Sequence, residues 1–180
     1  MASTRYAVFL RGVNVGGVTV RMAELRALLA DLPVSGVATV LASGNAVCSS
    51  ALDAPGLRSR VEEALTARFG YAARVVVVDH GGLAAIAASV PTPDDAGADG
   101  QAVHTYVTFF TGTDELAAFL AEAHGLHPTV LAGGTAIGWF SPKGRSTDVP
   151  LARLLARARY AATSTTRNVN TVDRVLRLLG

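Results

Sequence analysis

The sequence is poor in cysteine, in aromatic rings and in charge. Cys48 is the only cysteine among 180 residues, so no internal disulfide can form. Its place in the strand-like stretch Ala46-Val47-Cys48 reads as a buried, inert thiol rather than a nucleophile. Charged residues make up 17% of the chain and hydrophobic residues 50%, a balance that folds. No apolar run reaches the roughly 18 residues of a membrane-spanning helix, and the longest, Ala73 to Val78 with Arg74 inside, has strand length. The N-terminal Met-Ala-Ser-Thr-Arg-Tyr leads into a strand-like segment without a signal-peptide core, so the chain reads as cytoplasmic with no membrane partner. Catalytic signatures are missing as well: there is no Gly-x-Ser-x-Gly elbow, Cys-x-x-Cys or His-Glu-x-x-His. His124-x-x-His127 is interrupted by Gly125 and followed by Pro128, marks of a helix end rather than a helical ligand pair, and no metal or cofactor is expected. Glu62 and Glu63 face different sides of one helix, Asp94-Asp95 reads as linker charge, and His80 and His104 stand alone.

The net charge of +2 hides an asymmetry. Residues 143–180 carry eight basic groups against Asp148 and Asp173, a sum of +6 that leaves −4 for the rest. Such an end attracts phosphate-bearing partners through its field, or simply solvates helix faces.

What the chain has in abundance is internal repetition. Tyr6-Ala-Val-Phe9-Leu-Arg-Gly12 returns as Tyr106-Val-Thr-Phe109-Phe-Thr-Gly112, and Ala23–Leu29 matches Asp114–Leu120 with the same helical spacing. Val40-Leu-Ala-Ser43-Gly44-Asn45-Ala-Val47 corresponds to Val130-Leu-Ala-Gly133-Gly134-Thr135-Ala-Ile137, and Tyr71-Ala-Ala73 to Tyr160-Ala-Ala162. Each copy reads strand, helix, strand, turn, strand, helix, strand, with a further helix appended. In copy one the segments are roughly 5–11, 22–32, 37–42, 45–49, 56–69, 74–79 and 81–89; in copy two, 103–110, 114–124, 128–132, 135–140, 149–159, 162–167 and 170–179. The expected fold is therefore α+β: two ferredoxin-like (split β-α-β) units with antiparallel sheets, each followed by an extra helix. The halves would span 1–90 and 103–180, joined by a linker over 91–102 whose Pro, Asp and Gly content lacks any apolar period.

The copies part company at three places. The offset falls from 100 residues at the first strand to 91 at the first helix, so copy one holds nine extra residues within Arg11–Arg21. Gly12, Gly16 and Gly17 let backbone amides approach a bound group, and Arg11 and Asn14 supply donors; a loop of purely structural purpose is the alternative. Its spacing fits neither the dinucleotide fingerprint nor a Walker-type phosphate loop. The turn Ser43-Gly44-Asn45 answers to Gly133-Gly134-Thr135, and hairpin geometry alone explains Gly44. Strands one and two of this topology run parallel, so the turn and the glycine-rich loop should be neighbours. Finally, Arg74-Val-Val-Val-Val-Asp79 is replaced by Thr163-Ser-Thr-Thr-Arg-Asn168. That segment is either an exposed edge strand or an anion site in which Thr166 and Arg167 precede a helix capped by Asn168 or Asn170.

The Arg11-Gly-Val-Asn-Val-Gly-Gly17 core, Met22-Ala-Glu-Leu-Arg26, the Ser43-Gly-Asn45 turn and Thr165-Thr-Arg-Asn168-x-Asn170-Thr171 together resemble the bacterial domain-of-unknown-function family 1697. The resemblance covers almost the whole chain. It implies ferredoxin-like halves and no established activity. The family usually carries an aromatic residue, often Trp, between the two asparagines, where this chain has Val169.

These residues carry several functional expectations. The leading one is a binding module for a phosphate-bearing small molecule or nucleotide, formed by Arg11, Asn14, Gly16, Gly17, Ser43 and Asn45 with Thr166, Arg167, Asn168 and Asn170. The alternatives are a transferase or hydrolase acting on a phosphorylated metabolite at the same cluster, an RNA-binding protein that stacks bases on Tyr6, Phe9, Tyr106, Phe109 or Phe110, and a scaffold in which the polar motifs only hold structure.

Overall fold

The computed structural model describes residues 3–14, 18–93 and 102–180. Contacts cluster into two compact units, Met1–Ala84 with Asp173–Gly180, and Ala85–Val172.

The first unit runs β1 (Thr4–Leu10), α1 (Met22–Ala30), β2 (Val34–Val40), β3 (Asn45–Ser50), α2 (Ala54–Phe69), β4 (Val75–Asp79) and the start of α3 (His80–Ala88). Its sheet has the order β2-β3-β1-β4 with every pairing antiparallel. Alternation in β1 sends Tyr6, Val8 and Leu10 toward the helices, where they meet Leu25 and Leu29 of α1 and Leu57, Val61 and Leu65 of α2. Both helical sets repeat at four residues, which stacks them on one face. α2 begins where Asp53 accepts the Gly56 amide at 2.8 Å and stops at left-handed Gly70.

The second unit runs β5 (Val103–Phe110), α4 (Thr113–Glu122), β6 (Thr129–Val130), β7 (Ala136–Pro142), α5 (Pro150–Leu155), α6 (Ala158–Ala161), β8 (Ser164–Asn168) and the start of α7 (Val169–Leu179). The order β6-β7-β5-β8 repeats that of the first sheet. Phe110, Phe119, Ile137, Trp139 and Tyr160 fill its core, with Tyr160 edge-on to Phe119. The duplicated ferredoxin-like arrangement extends to single hydrogen bonds. Arg11 N donates to Arg74 O at 3.1 Å in one copy, and the corresponding Thr111 N to Thr163 O at 2.9 Å in the other.

Two elements of the second copy differ from expectation. The helix expected over 149–159 breaks at Arg157, whose φ of −60° and ψ of 140° are extended. The break lets Arg157 and Arg159 both reach the carboxylate of Glu122, which residues two apart on one helix cannot do. The strand expected over 128–132 shrinks to two residues, because Pro128 cannot donate to a ladder and Gly133 and Gly134 turn the chain at positive φ.

Candidate functional site

β1 and β2 run in the same direction, so the end of β1 and the turn after β2 share one edge of the sheet. Leu10 N donates to Gly44 O at 2.8 Å across it. Gly44 is held at φ 75°, and a Cβ there would lie 2.6 Å from Val13 Cγ2 and 2.9 Å from Leu10 Cβ, so both its conformation and its surroundings demand glycine. The glycine-rich loop and the Ser43-Gly44-Asn45 turn are therefore packed on one another, as the topology requires.

Asn14 holds that junction. At φ 60°, its backbone amide donates to Val18 O at 2.8 Å, its Oδ1 accepts the Val20 amide at 2.9 Å, and its Nδ2 donates to Val20 O at 3.0 Å and Ala42 O at 2.5 Å. Both ends of the amide are thus spent on closing the loop and tying it to the turn. Asn45 is fully buried, and its Nδ2 donates to Val40 O and Ser43 Oγ, both at 2.9 Å. The two asparagines act as internal fasteners. Gly16 and Gly17 lie outside the described residues.

Arg11 is different. It is half-buried at the head of the loop, and desolvation lowers its pKa from the usual arginine value. Its backbone neighbour across the strand, Arg74, has a carboxylate partner in Glu62 at 3.5 Å. Among the described residues no hydrogen bond or ion pair engages the Arg11 guanidinium. This leaves a partly desolvated cation beside a loop that Asn14 has already fixed.

The remaining expected residues belong to the second unit. Arg167 is 8% exposed, and burial pushes its pKa down to about 10. Its Nη1 donates to Thr165 Oγ1 at 2.7 Å, two residues back on the same strand face, and to Thr166 O at 2.8 Å. Thr166 points to the other face, where its hydroxyl meets Thr108 Oγ1 at 2.8 Å. Asn168 accepts the Asn170 amide at 2.9 Å and so caps α7, while Asn170 contributes that amide. β8 is the edge strand of its sheet, yet Ser164, Thr165 and Arg167 are buried.

Sequence reading missed the interior half of this network, in which Trp139 Nε1 donates to Thr108 Oγ1 at 2.9 Å. The signal was available: Thr108 stands where the first copy has the core residue Val8, and a hydroxyl in a core position needs a partner. Of the five rings considered for base stacking, Tyr6, Phe9, Phe109 and Phe110 are buried, and Tyr106 is partly buried and stacked on Trp139 at 4.8 Å. Among the described residues no group of three or more His, Cys, Asp or Glu could hold a metal ion. No helix among them is long and apolar enough to cross a membrane.

A family model described as "Protein of unknown function (DUF1697)" matches residues 3–134. Comparison with curated proteins finds no match. Among solved structures, the conserved bacterial protein SP0830 from Streptococcus pneumoniae superposes with a TM-score of 0.80 over 99% of this chain and 100% of that one, at 23% identity. At that identity the likeness is one of fold.

Proposed function

Because the chain belongs to the DUF1697 family, whose description assigns no activity, we propose from the site alone that it is a binding module for a phosphate-bearing small molecule or nucleotide, with Arg11 as the anion contact. The observation that carries the reading is the Arg11 guanidinium, partly desolvated and without a partner among the described residues. Two oxygens of a phosphate offer the charge and the acceptor pair that the guanidinium fork matches best. Asn14 and Asn45 serve the site by holding the loop and the turn, not by touching ligand.

Thermal unfolding with inorganic phosphate and sugar phosphates, ligands that carry no base, tests this. A ligand at a hundredfold excess over its Kd stabilises by about 2.7 kcal/mol, and Arg11→Gln should abolish that gain while leaving the unliganded protein folded. A gain that survives Arg11→Gln removes Arg11 from the site. Turnover of a phosphorylated metabolite that disappears with the same substitution would extend binding to catalysis.

A second reading has support of its own. The side chains of Asn14, Asn45 and Asn168 all hold local structure, which is what a set of purely structural motifs would do. In that case Arg11→Gln alters no ligand response. The burial of four of the five rings favours either reading over base stacking on a sheet face.

A further inference from the structure

The shortened strand β6 creates something the first copy lacks. Val40 answers to Val130, so His124–Pro128 occupy the positions of Val34–Ala38 in β2. In the first copy those positions pair with β3 as far as Val34 and Ser50; in the second, pairing with β7 ends at Thr129 and Gly138. Beyond Gly138 the outer edge of β7 has no strand partner among the described residues. Gly125 at φ 77° and His127 at φ 48° instead carry the chain away from the sheet. A histidine in the left-handed region is uncommon and marks a place where local strain is tolerated.

Two cavities fill the space so opened. The first, about 210 Å³, is a slot against the β7 edge, lined by Trp139, Phe140 and His127 and closed by Val149 of the preceding loop and Pro150 of α5. Phe140 is 39% exposed, an apolar residue presented to solvent. The second, about 530 Å³, is a groove lined by Glu122, His124, Arg153 and Arg157. Leu126 and Pro150 line both, so slot and groove are adjoining compartments of one depression. The groove is cationic in sum: Glu122 is shared by Arg157 and Arg159, and Arg153 has no hydrogen bond or ion pair among the described residues. Two arginines thus hold one carboxylate, and a third lines the same groove.

We propose that this depression is a second ligand site, separate from the Arg11 loop, and that its ligand class is a nucleoside 5′-monophosphate. The base lies in the slot against Phe140 and the Trp139 edge, where free backbone groups of β7 meet its hydrogen-bonding rim, and the phosphate lies on Arg153 and Arg157 in the groove. Together the compartments fall within the roughly 300–1,000 Å³ of small-molecule sites.

The chain's single tryptophan lines the slot, so its fluorescence reports occupancy directly. The experiment titrates wild type, Arg153→Gln, Phe140→Ser and Arg11→Gln with the 5′-monophosphates of adenosine, guanosine, cytidine and uridine. Unphosphorylated nucleosides, ribose 5-phosphate and a short single-stranded RNA serve as controls. At least one monophosphate should change Trp139 emission saturably with Kd below about 1 mM. Arg153→Gln should weaken it roughly tenfold or more by removing a charged hydrogen bond, Phe140→Ser should weaken monophosphate and nucleoside alike, and Arg11→Gln should leave the titration unchanged. The proposal fails if no monophosphate binds, if Arg153→Gln binds as wild type does, or if only the RNA binds. Loss of the signal in Arg11→Gln would also overturn it, by assigning the ligand to the other site.

Discussion

Gly44 and Gly12 show how two glycines in one loop region differ in kind. Both have positive φ, but a Cβ on Gly12 meets nothing within 4 Å, whereas on Gly44 it would strike Val13 and Leu10. Gly12→Ala should therefore cost only the backbone strain, about 1 kcal/mol, and Gly44→Ala strain plus overpacking, about 2–4 kcal/mol, as read by chemical denaturation. Equal losses would mean that the turn does not press on the loop. Cys48 gives a pH prediction. Burial raises its thiol pKa from 9.0 to about 11, so the folded state keeps a proton that the unfolded chain has released. The group leaves stability untouched below pH 9 and lowers it as pH rises from about 9 to 11, a slope that Cys48→Ala should remove. At neutral pH the native thiol should resist alkylating reagents until the protein unfolds. The turn at Gly44 was legible at this scale from residue type and spacing, and the left-handed backbone of Asn14 was not. That Asn14 spends its whole side chain on Val20 and Ala42 was not, because an asparagine looks the same in sequence whether it faces ligand or backbone.

At the scale of elements, β8 carries the argument. Four valines in β4 become Ser164, Thr165, Thr166 and Arg167, and the polar replacements are matched by Thr108 on β5 and Trp139 on β7. Thr108→Val should leave both the Trp139 N–H and the Thr166 hydroxyl without their partner and destabilise by about 1–3 kcal/mol, more than Thr166→Val, which strips only one end of the chain. A double-mutant cycle in which the two losses simply add would contradict the network. Asn168→Ala removes the α7 cap and should cost about 1 kcal/mol. Strand and helix order was readable because apolar periodicity repeats in both copies. The break at Arg157 was not, since the apolar residues Leu151, Leu154 and Leu155 continue a helical period up to it, and the ion pairs with Glu122 that accompany it join residues far apart in sequence.

For the whole molecule, duplication gives two units of one topology with different polar equipment. Repeat matching assigns the last turns of α7, within 170–179, to the second half. In the structure Asp173–Gly180 belong with the first, where the Arg5 guanidinium donates to Leu178 O at 2.6 Å and Val175 and Leu179 are buried. Deleting residues 173–180 should therefore lower hydrogen-exchange protection in β1 and β4, at the opposite end of the sequence; unchanged protection there would refute that placement.

The claim on which the functional account rests is that the Arg11 guanidinium receives an anion. NMR of the arginine side chains, titrated with inorganic phosphate, observes that group itself. A saturable shift of the Arg11 Nε–H resonance, absent in Arg11→Gln and shared by the loop amides flanking Asn14, is the predicted result. An Arg11 resonance that stays in place while phosphate shifts other arginines, or that moves only in proportion to ionic strength, would contradict it.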